Sequence, residues 1–292
     1  MTLAAHLWLE GKPLASRPFY CDTVVFLPPD RRVSSTALGR PPMTVDKSGP
    51  RVRRMFGEIA GRYDFLNHLL SLNIDRYWRW RTVRAVPPRA GTRILDVCTG
   101  TGDLALAYHR ASGGQVEIVA ADFCHEMLAI GRQKGVRAGA DGQITYIEAD
   151  AQALPLPSDQ FDVVCVAFGL RNVADADAGL AEMTRVCAPG GHVAVLEFSS
   201  PRWQPFRGVY NWYFRHVLPR IGQLFARNRE SAYSYLPESV GEFPQGEALA
   251  QRMRAAGLAE LAHHALTLGV ATLYVGRKAG NWRLEEIHKD SQ

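Results

Sequence analysis

An α/β fold, a seven-stranded mixed sheet with helices on both faces and a helical cap at its N-terminal side, is predicted by three observations. Apolar segments starting at Arg93, Glu117, Ile144, Phe161 and Ala188 read as successive strands, several of them ending in an acid. The first strand breaks into a glycine turn, Thr99-Gly-Thr-Gly102, that opens a helix. Ahead of it, residues 51–86 carry apolar residues at helical spacing.

In chain order, residues 1 to about 50 contain Pro13, Pro18, Pro28, Pro29, Pro41, Pro42 and Pro50 without a sustained apolar period. They are expected to form an irregular or disordered extension. The opening residues lack the basic-then-apolar order of a signal peptide, and Met43 is a candidate translation start. The helical cap rests on Val52, Met55, Phe56 and Ile59, then Leu66, Leu69 and Leu70. The cap and sheet together are expected to span 51–280, with 281–292 as a polar tail.

Residues 93–105 are the most informative stretch. Gly100 and Gly102 let the backbone bend sharply and a ligand lie against it. The helix from Asp103 to about His109 then presents its N-terminal N–H groups. Gly100-x-Gly102-x-x-Ala105 also matches a dinucleotide fingerprint, with Asp122 at the expected offset, so the turn alone leaves the cofactor open. The second strand, Glu117–Asp122, ends in a carboxylate able to accept both hydroxyls of a ribose, and Phe123 can pack on adenine. The third, Ile144–Asp150, ends in an acid suited to the adenine edge. Taken singly, each acid could simply cap the next helix. The fourth strand runs from Phe161 to Phe168 and the fifth from Ala188 to Glu197. An aromatic stretch from Trp203 to Phe225 is interleaved with Arg207, Arg215 and Arg220. A helix from Glu247 to Ala256, ended by Gly257, precedes His264–Val275, read as the final two strands.

Composition narrows the class. With 47% hydrophobic residues in 292, the core is ample. No apolar run is long enough to cross a membrane. Five widely spaced cysteines without a Cys-x-x-Cys pair indicate a reducing, cytoplasmic setting and no zinc or redox site. Cys165 and Cys187 read as small buried hydrophobes. The net charge of +5 is uneven: residues 1–92 hold fifteen Lys and Arg against seven Asp and Glu. Scattered arginines of this kind are read as a solvated face, with an anionic membrane as the alternative and no nucleic-acid partner.

Asp96-x-Cys98-x-Gly100-x-Gly102 resembles the cofactor turn of class I S-adenosylmethionine-dependent methyltransferases, which are Rossmann-like, with Cys98 at the first glycine position. No Asn/Asp-Pro-Pro-aromatic motif and no Pro-Cys nucleophile follow the fourth strand, which argues against methylation of a nucleic-acid base. Tyr63-Asp-Phe-Leu-Asn-His68, Asp150-Ala-Gln-Ala-Leu-Pro155, Phe168-Gly-Leu-Arg-Asn-Val173, Leu196-Glu-Phe-Ser199, His216-Val-Leu-Pro-Arg-Ile-Gly222 and Tyr233-Ser-Tyr-Leu-Pro-Glu-Ser239 closely resemble the ubiquinone/menaquinone biosynthesis C-methyltransferase family.

That resemblance implies methylation of a ring carbon of a polyprenylated quinol, such as demethylmenaquinol, with S-adenosyl-L-methionine as cofactor and no metal. It implies cofactor contacts from Asp96, Gly100, Thr101, Gly102, Asp122, Phe123, Asp150 and Ala151. Ala167 stands where the family often has serine, leaving a backbone contact at best. Arg171 is expected to stabilise the quinolate electrostatically, since an arginine keeps its proton. Asn172 and Tyr63 are expected to orient the ring, and His68 is read as structural. Peripheral contact with the inner face of the cell membrane would give access to the isoprenoid tail, and a homodimer is left open. The competing readings are a methyltransferase for another lipophilic small molecule and a noncatalytic cofactor-binding partner of a lipid-biosynthetic complex.

Overall fold

Strands that are apolar along their length must be covered on both faces, and this sheet is. β1 (Arg93–Val97), β2 (Glu117–Asp122), β3 (Ile144–Glu148), β4 (Phe161–Ala167) and β5 (Cys187–Phe198) run parallel. β7 (Ala271–Lys278) pairs antiparallel between β5 and β6 (Leu258–Leu266), giving the order β3-β2-β1-β4-β5-β7-β6. The computed structural model describes residues 46–201, 203–217, 220 and 232–280, without the side chains of 211, 214, 215 and 232–234. The expected extension up to residue 45 and the tail from 281 lie outside the described residues, as do Phe225 and the end of the His216–Gly222 motif.

Leu180, Met183 and Val186 of α5 (Ala176–Val186) cover one face of the sheet with Leu249 and Met253 of α8 (Glu247–Ala255). The other face receives Leu104, Ala105 and Tyr108 of α3 (Asp103–Ala111). α4 (His125–Arg137) follows β2. The turn from strand to α5 is capped by Asp175, whose carboxylate accepts from the N–H groups of Asp177 and Ala178. Cys165 and Cys187 are buried core residues.

Two boundaries differ from the sequence reading. β6 begins at Leu258, not near His264. It is an edge strand with Ala259, Glu260, His263 and His264 exposed and a register shift between Ala259 and Ala262. An edge strand with so little buried surface carries no alternation to read. The cap begins at Gly49, not Arg51, with Pro50 in its first turn, and consists of two helices. α1 (Gly49–Leu70) and α2 (Ile74–Ala85) are separated by Ser71-Leu-Asn73, where Leu72 and Asn73 take left-handed φ of 53° and 62°.

α6 (Gln204–Trp212) runs into one π-helical turn, Tyr213–Val217, and α7 spans Ala232–Glu242. Tyr210, Tyr213, Tyr235 and Val240 from these segments pack on Met55, Ile59, Tyr63 and Leu66 of α1. This roof lies over the C-terminal ends of the strands.

Candidate functional site

In an open parallel sheet the crevice forms where strand order reverses, here between β1 and β4. A cavity of about 630 Å³ opens there. Its floor is the glycine turn. Gly100 N–H donates to Asp122 Oδ2 at 2.8 Å, and Thr99 N–H donates to the Ala121 carbonyl at 3.0 Å. Asp122 also accepts from Cys124 N–H through Oδ1 at 2.9 Å. The carboxylate at the end of β2 thus holds the turn against its strand. Burial pushes it up to about 6, opposed by these N–H donors.

Asp96 also lines the cavity. Its Oδ2 accepts from the Thr99 hydroxyl at 2.6 Å and from Ala105 N–H at 3.1 Å, so it ties the turn to α3. It is buried, and burial pushes its carboxyl up to about 7. Both acids therefore oppose folding at neutral pH. Their stabilising share is complete below about pH 4 and is lost as pH rises through about 6 and 7. Such strain is typical of a site built to bind something.

Thr101 lines the cavity as well. Its hydroxyl donates to Asp64 of α1 at 2.5 Å and accepts from Lys134 at 3.1 Å. Lys134 bridges Asp64 at 2.6 Å and Asp103 at 2.5 Å. Arg79 pairs with Asp75 at 2.5 Å and reaches Asp103 at 3.4 Å, and Asp75 meets His68 Nδ1 at 2.8 Å. Burial works against the Asp75 and Asp103 carboxylates, yet Arg79 holds both below the usual range. This network clamps the two-helix cap onto the glycine turn, and His68 is one of its structural members. Asp75 and Arg79 line the cavity, and neither stood out in the sequence, where the arginines of α2 read as surface. Their i,i+4 spacing was the available signal.

Gly102 takes φ of 80°, a conformation a side chain would strain. Cys98, at the first glycine position, takes φ of 52° and tucks against Gly169: a Cβ on Gly169 would lie 2.3 Å from the Cys98 Cβ. Phe123, Asp150, Ala151 and Ala167 all line the cavity. Asp150 is exposed and accepts from Gln152 N–H at 2.9 Å. Tyr63 leans over the turn, 4.0 Å from where a Gly100 Cβ would be, and burial pushes its phenol up, so it remains a hydrogen-bond donor.

Arg171 is buried, and its charge is paired. Nη1 donates to Glu197 Oε2 at 3.0 Å and to the Phe168 carbonyl, and Arg171 N–H donates to Glu197 Oε1 at 3.1 Å. The guanidinium lies 5.2 Å from the Phe198 ring centroid. Glu197 offsets part of that charge, while Arg171 also lines the cavity and orders the Phe168–Asn172 turn. Among the described residues, neither its Nε nor Oδ1 of Asn172 has a hydrogen-bond partner. Glu197, an acid at the end of β5, carried the same strand-end signal as Asp122. Beyond these residues the cavity is walled by Trp78, Phe168, Phe198, Phe206, Tyr210 and Tyr213.

A glycine floor, two strand-end carboxylates and an adjoining aromatic chamber thus line one cavity. Fold and site together define a class I S-adenosylmethionine-dependent methyltransferase. Solved structures support the fold. The [4+2]-cyclase SpnF aligns with a TM-score of 0.58 at 17% identity, covering 83% of this chain and all of that one. A Thermotoga maritima methyltransferase aligns with a TM-score of 0.54 at 17% identity over 78% of this chain and 99% of its own. The chain belongs to the ubiE/COQ5 methyltransferase family, whose model matches residues 43–278. A demethylmenaquinone methyltransferase of Deinococcus radiodurans is 49% identical over 83% of this chain and 99% of its own length. One from Thermus thermophilus is 50% identical over 76% and 99%. The ubiquinone/menaquinone biosynthesis C-methyltransferase UbiE of Geobacter sulfurreducens is 47% identical over 80% and 90%.

Proposed function

We propose that the enzyme methylates a ring carbon of a polyprenylated quinol, demethylmenaquinol by preference, in respiratory quinone biosynthesis. The observation that carries this reading is the aromatic chamber that continues from the glycine floor, since a flat ring bearing an apolar tail fits such walls and a charged acceptor does not. When bound, S-adenosylmethionine supplies an electrophilic methyl group. Asp122 would receive the ribose hydroxyls, Asp150 the adenine edge, and Phe123 the adenine face. Arg79 and Asp75 offer opposite charges to the zwitterionic methionine end.

A quinol carbon becomes nucleophilic when the neighbouring hydroxyl ionises. Arg171 Nε and the Tyr63 hydroxyl would donate to that oxygen, and Asn172 Oδ1 would accept from a ring hydroxyl. None of these groups is a strong base, so positioning carries the rate; it can supply about 7 to 11 kcal/mol. The tail would leave through the cavity mouth, and peripheral membrane contact there is part of the proposal.

Asp122→Ala should weaken S-adenosylmethionine binding by about 1.5 to 3 kcal/mol, the range for hydrogen bonds to a charged group. The wild-type affinity should also be flat above about pH 6 and fall below it, because the protonated carboxyl cannot accept both hydroxyls. Titration calorimetry across pH checks both, and an unchanged affinity in the variant would remove Asp122 from the site. In a deletion strain, mass spectrometry of the lipid extract should find a quinone lacking one methyl group. An unaltered quinone pool would overturn the substrate assignment.

A further inference from the structure

We propose that the mouth of the cavity is a docking surface for an anionic lipid bilayer, an inference that rests on the quinol reading. Leu72, Val209, Trp212 and Leu268 are 76%, 65%, 60% and 63% exposed, and all four also line the cavity. A residue that is at once wall and surface marks the rim. These four come from three separate segments: the α1–α2 turn, α6, and the turn between β6 and β7. Soluble surfaces seldom gather large apolar side chains around an opening without a partner for them.

The backbone points the same way. Leu72 and Asn73 on one turn, and Thr267 and Leu268 on the other, take left-handed φ of 53°, 62°, 47° and 56°. Glycine would adopt these angles without strain, yet each tip carries a leucine held out to solvent. Strain retained at a tip marks a functional constraint there. The rim is also braced. Trp78 Nε1 donates to Thr267 Oγ1 at 2.8 Å, joining α2 to the β6–β7 turn, and Tyr213 Oη donates to the Leu70 carbonyl at 3.1 Å, joining the π turn to the end of α1.

Charge selects the partner. α2 continues from the Leu72 tip, and its outer face carries exposed Arg76 and Arg84 with Tyr77 and Trp80 stacked 5.9 Å apart. Arg81 lies 5.8 Å from the Tyr77 ring centroid and Arg84 lies 5.2 Å from that of Trp80. The one acid of α2, Asp75, is buried against Arg79, and α6 adds Arg207 and no acid. Aromatic rings beside arginines suit a layer of lipid phosphates, and the exposed leucine tips and Trp212 suit an apolar one. A second copy related by a two-fold axis would bring the arginine face against itself, whereas anionic headgroups complement it. Docked in this way, the mouth would open directly to the layer that holds an isoprenoid tail.

The test uses the full-length chain and vesicles of equal parts phosphatidylcholine and phosphatidylglycerol. Leu72→Gly with Leu268→Gly removes both tips while relaxing their backbone, so the double variant should melt no lower than wild type. It should lose vesicle binding by about tenfold or more in co-sedimentation. Arg76→Glu with Arg84→Glu, which leaves the cavity wall untouched, should weaken binding to these vesicles to a similar degree. It should retain wild-type turnover of a short-tailed quinol in solution. Unchanged vesicle binding by both folded double variants would overturn the proposal. So would a wild-type protein that ignores vesicles and sediments as a dimer that the glycine variant dissociates. If instead wild type binds vesicles but transfers no methyl group to the short-tailed quinol, the quinol reading fails and the docking surface does not.

Discussion

Arg171→Ala is expected to destabilise the protein by about 3 to 5 kcal/mol and to lower turnover about 10²-fold or more. The stability loss follows from Glu197, which is 1% exposed and would be left as a buried carboxylate without its cation. The Phe168 carbonyl would also lose its donor, and the Phe198 ring its guanidinium. The activity loss follows from release of the Phe168–Asn172 turn that carries Asn172 and the Arg171 Nε–H. Arg171→Lys keeps the charge without the planar fork and should retain partial activity. The two effects separate in Arg171→Met with Glu197→Leu. Replacing a buried pair with apolar residues should recover most of the stability but none of the turnover. Urea unfolding and steady-state kinetics read both. An Arg171→Ala protein of wild-type stability and near-normal turnover would refute the assignment.

Gly169→Ala should also be destabilising, for a steric reason. The backbone at Gly169, φ −108° and ψ −34°, accepts alanine. The added methyl, however, would sit 2.3 Å from the Cys98 Cβ, and both atoms belong to turns that frame the cavity. One turn must move, at a cost of about 1 to 3 kcal/mol or more, and the cofactor floor would move with it. Cys98→Gly should rescue it, because glycine clears the space and relaxes the left-handed backbone at position 98. Thermal melting and cofactor titration of the single and double variants check this. A well-bound, stable Gly169→Ala protein would mean that the two turns are not in contact.

The strands and glycine turn were legible because each has a local signature: apolar runs buried on both faces and glycines where the chain must bend. β6 was shortened because an edge strand that hides only Leu258 and Leu266 has no alternation. The break at Leu72 was not legible, since it puts left-handed backbone on a leucine where glycine would have announced a turn. Asp96, Asp122 and Asp150, read from the strand ends and the glycine turn, line one cavity. Their hydrogen bonds did not follow from the sequence: Asp96 holds the turn to α3, and Thr101 reaches Asp64, 37 residues away. Likewise Arg171 reads as a lone cation until the sheet brings Glu197, 26 residues on, beside it. Pairings across such separations are properties of the fold.

The most direct measurement is methyl transfer by the purified protein from isotopically labelled S-adenosylmethionine to a short-tailed demethylmenaquinol, with the product resolved by mass spectrometry and NMR. The account predicts label on a ring carbon of the reduced substrate, with Asp122→Ala impaired in cofactor binding and Arg171→Ala impaired in turnover. Label on an oxygen, or no transfer by protein that binds the cofactor tightly, would contradict it.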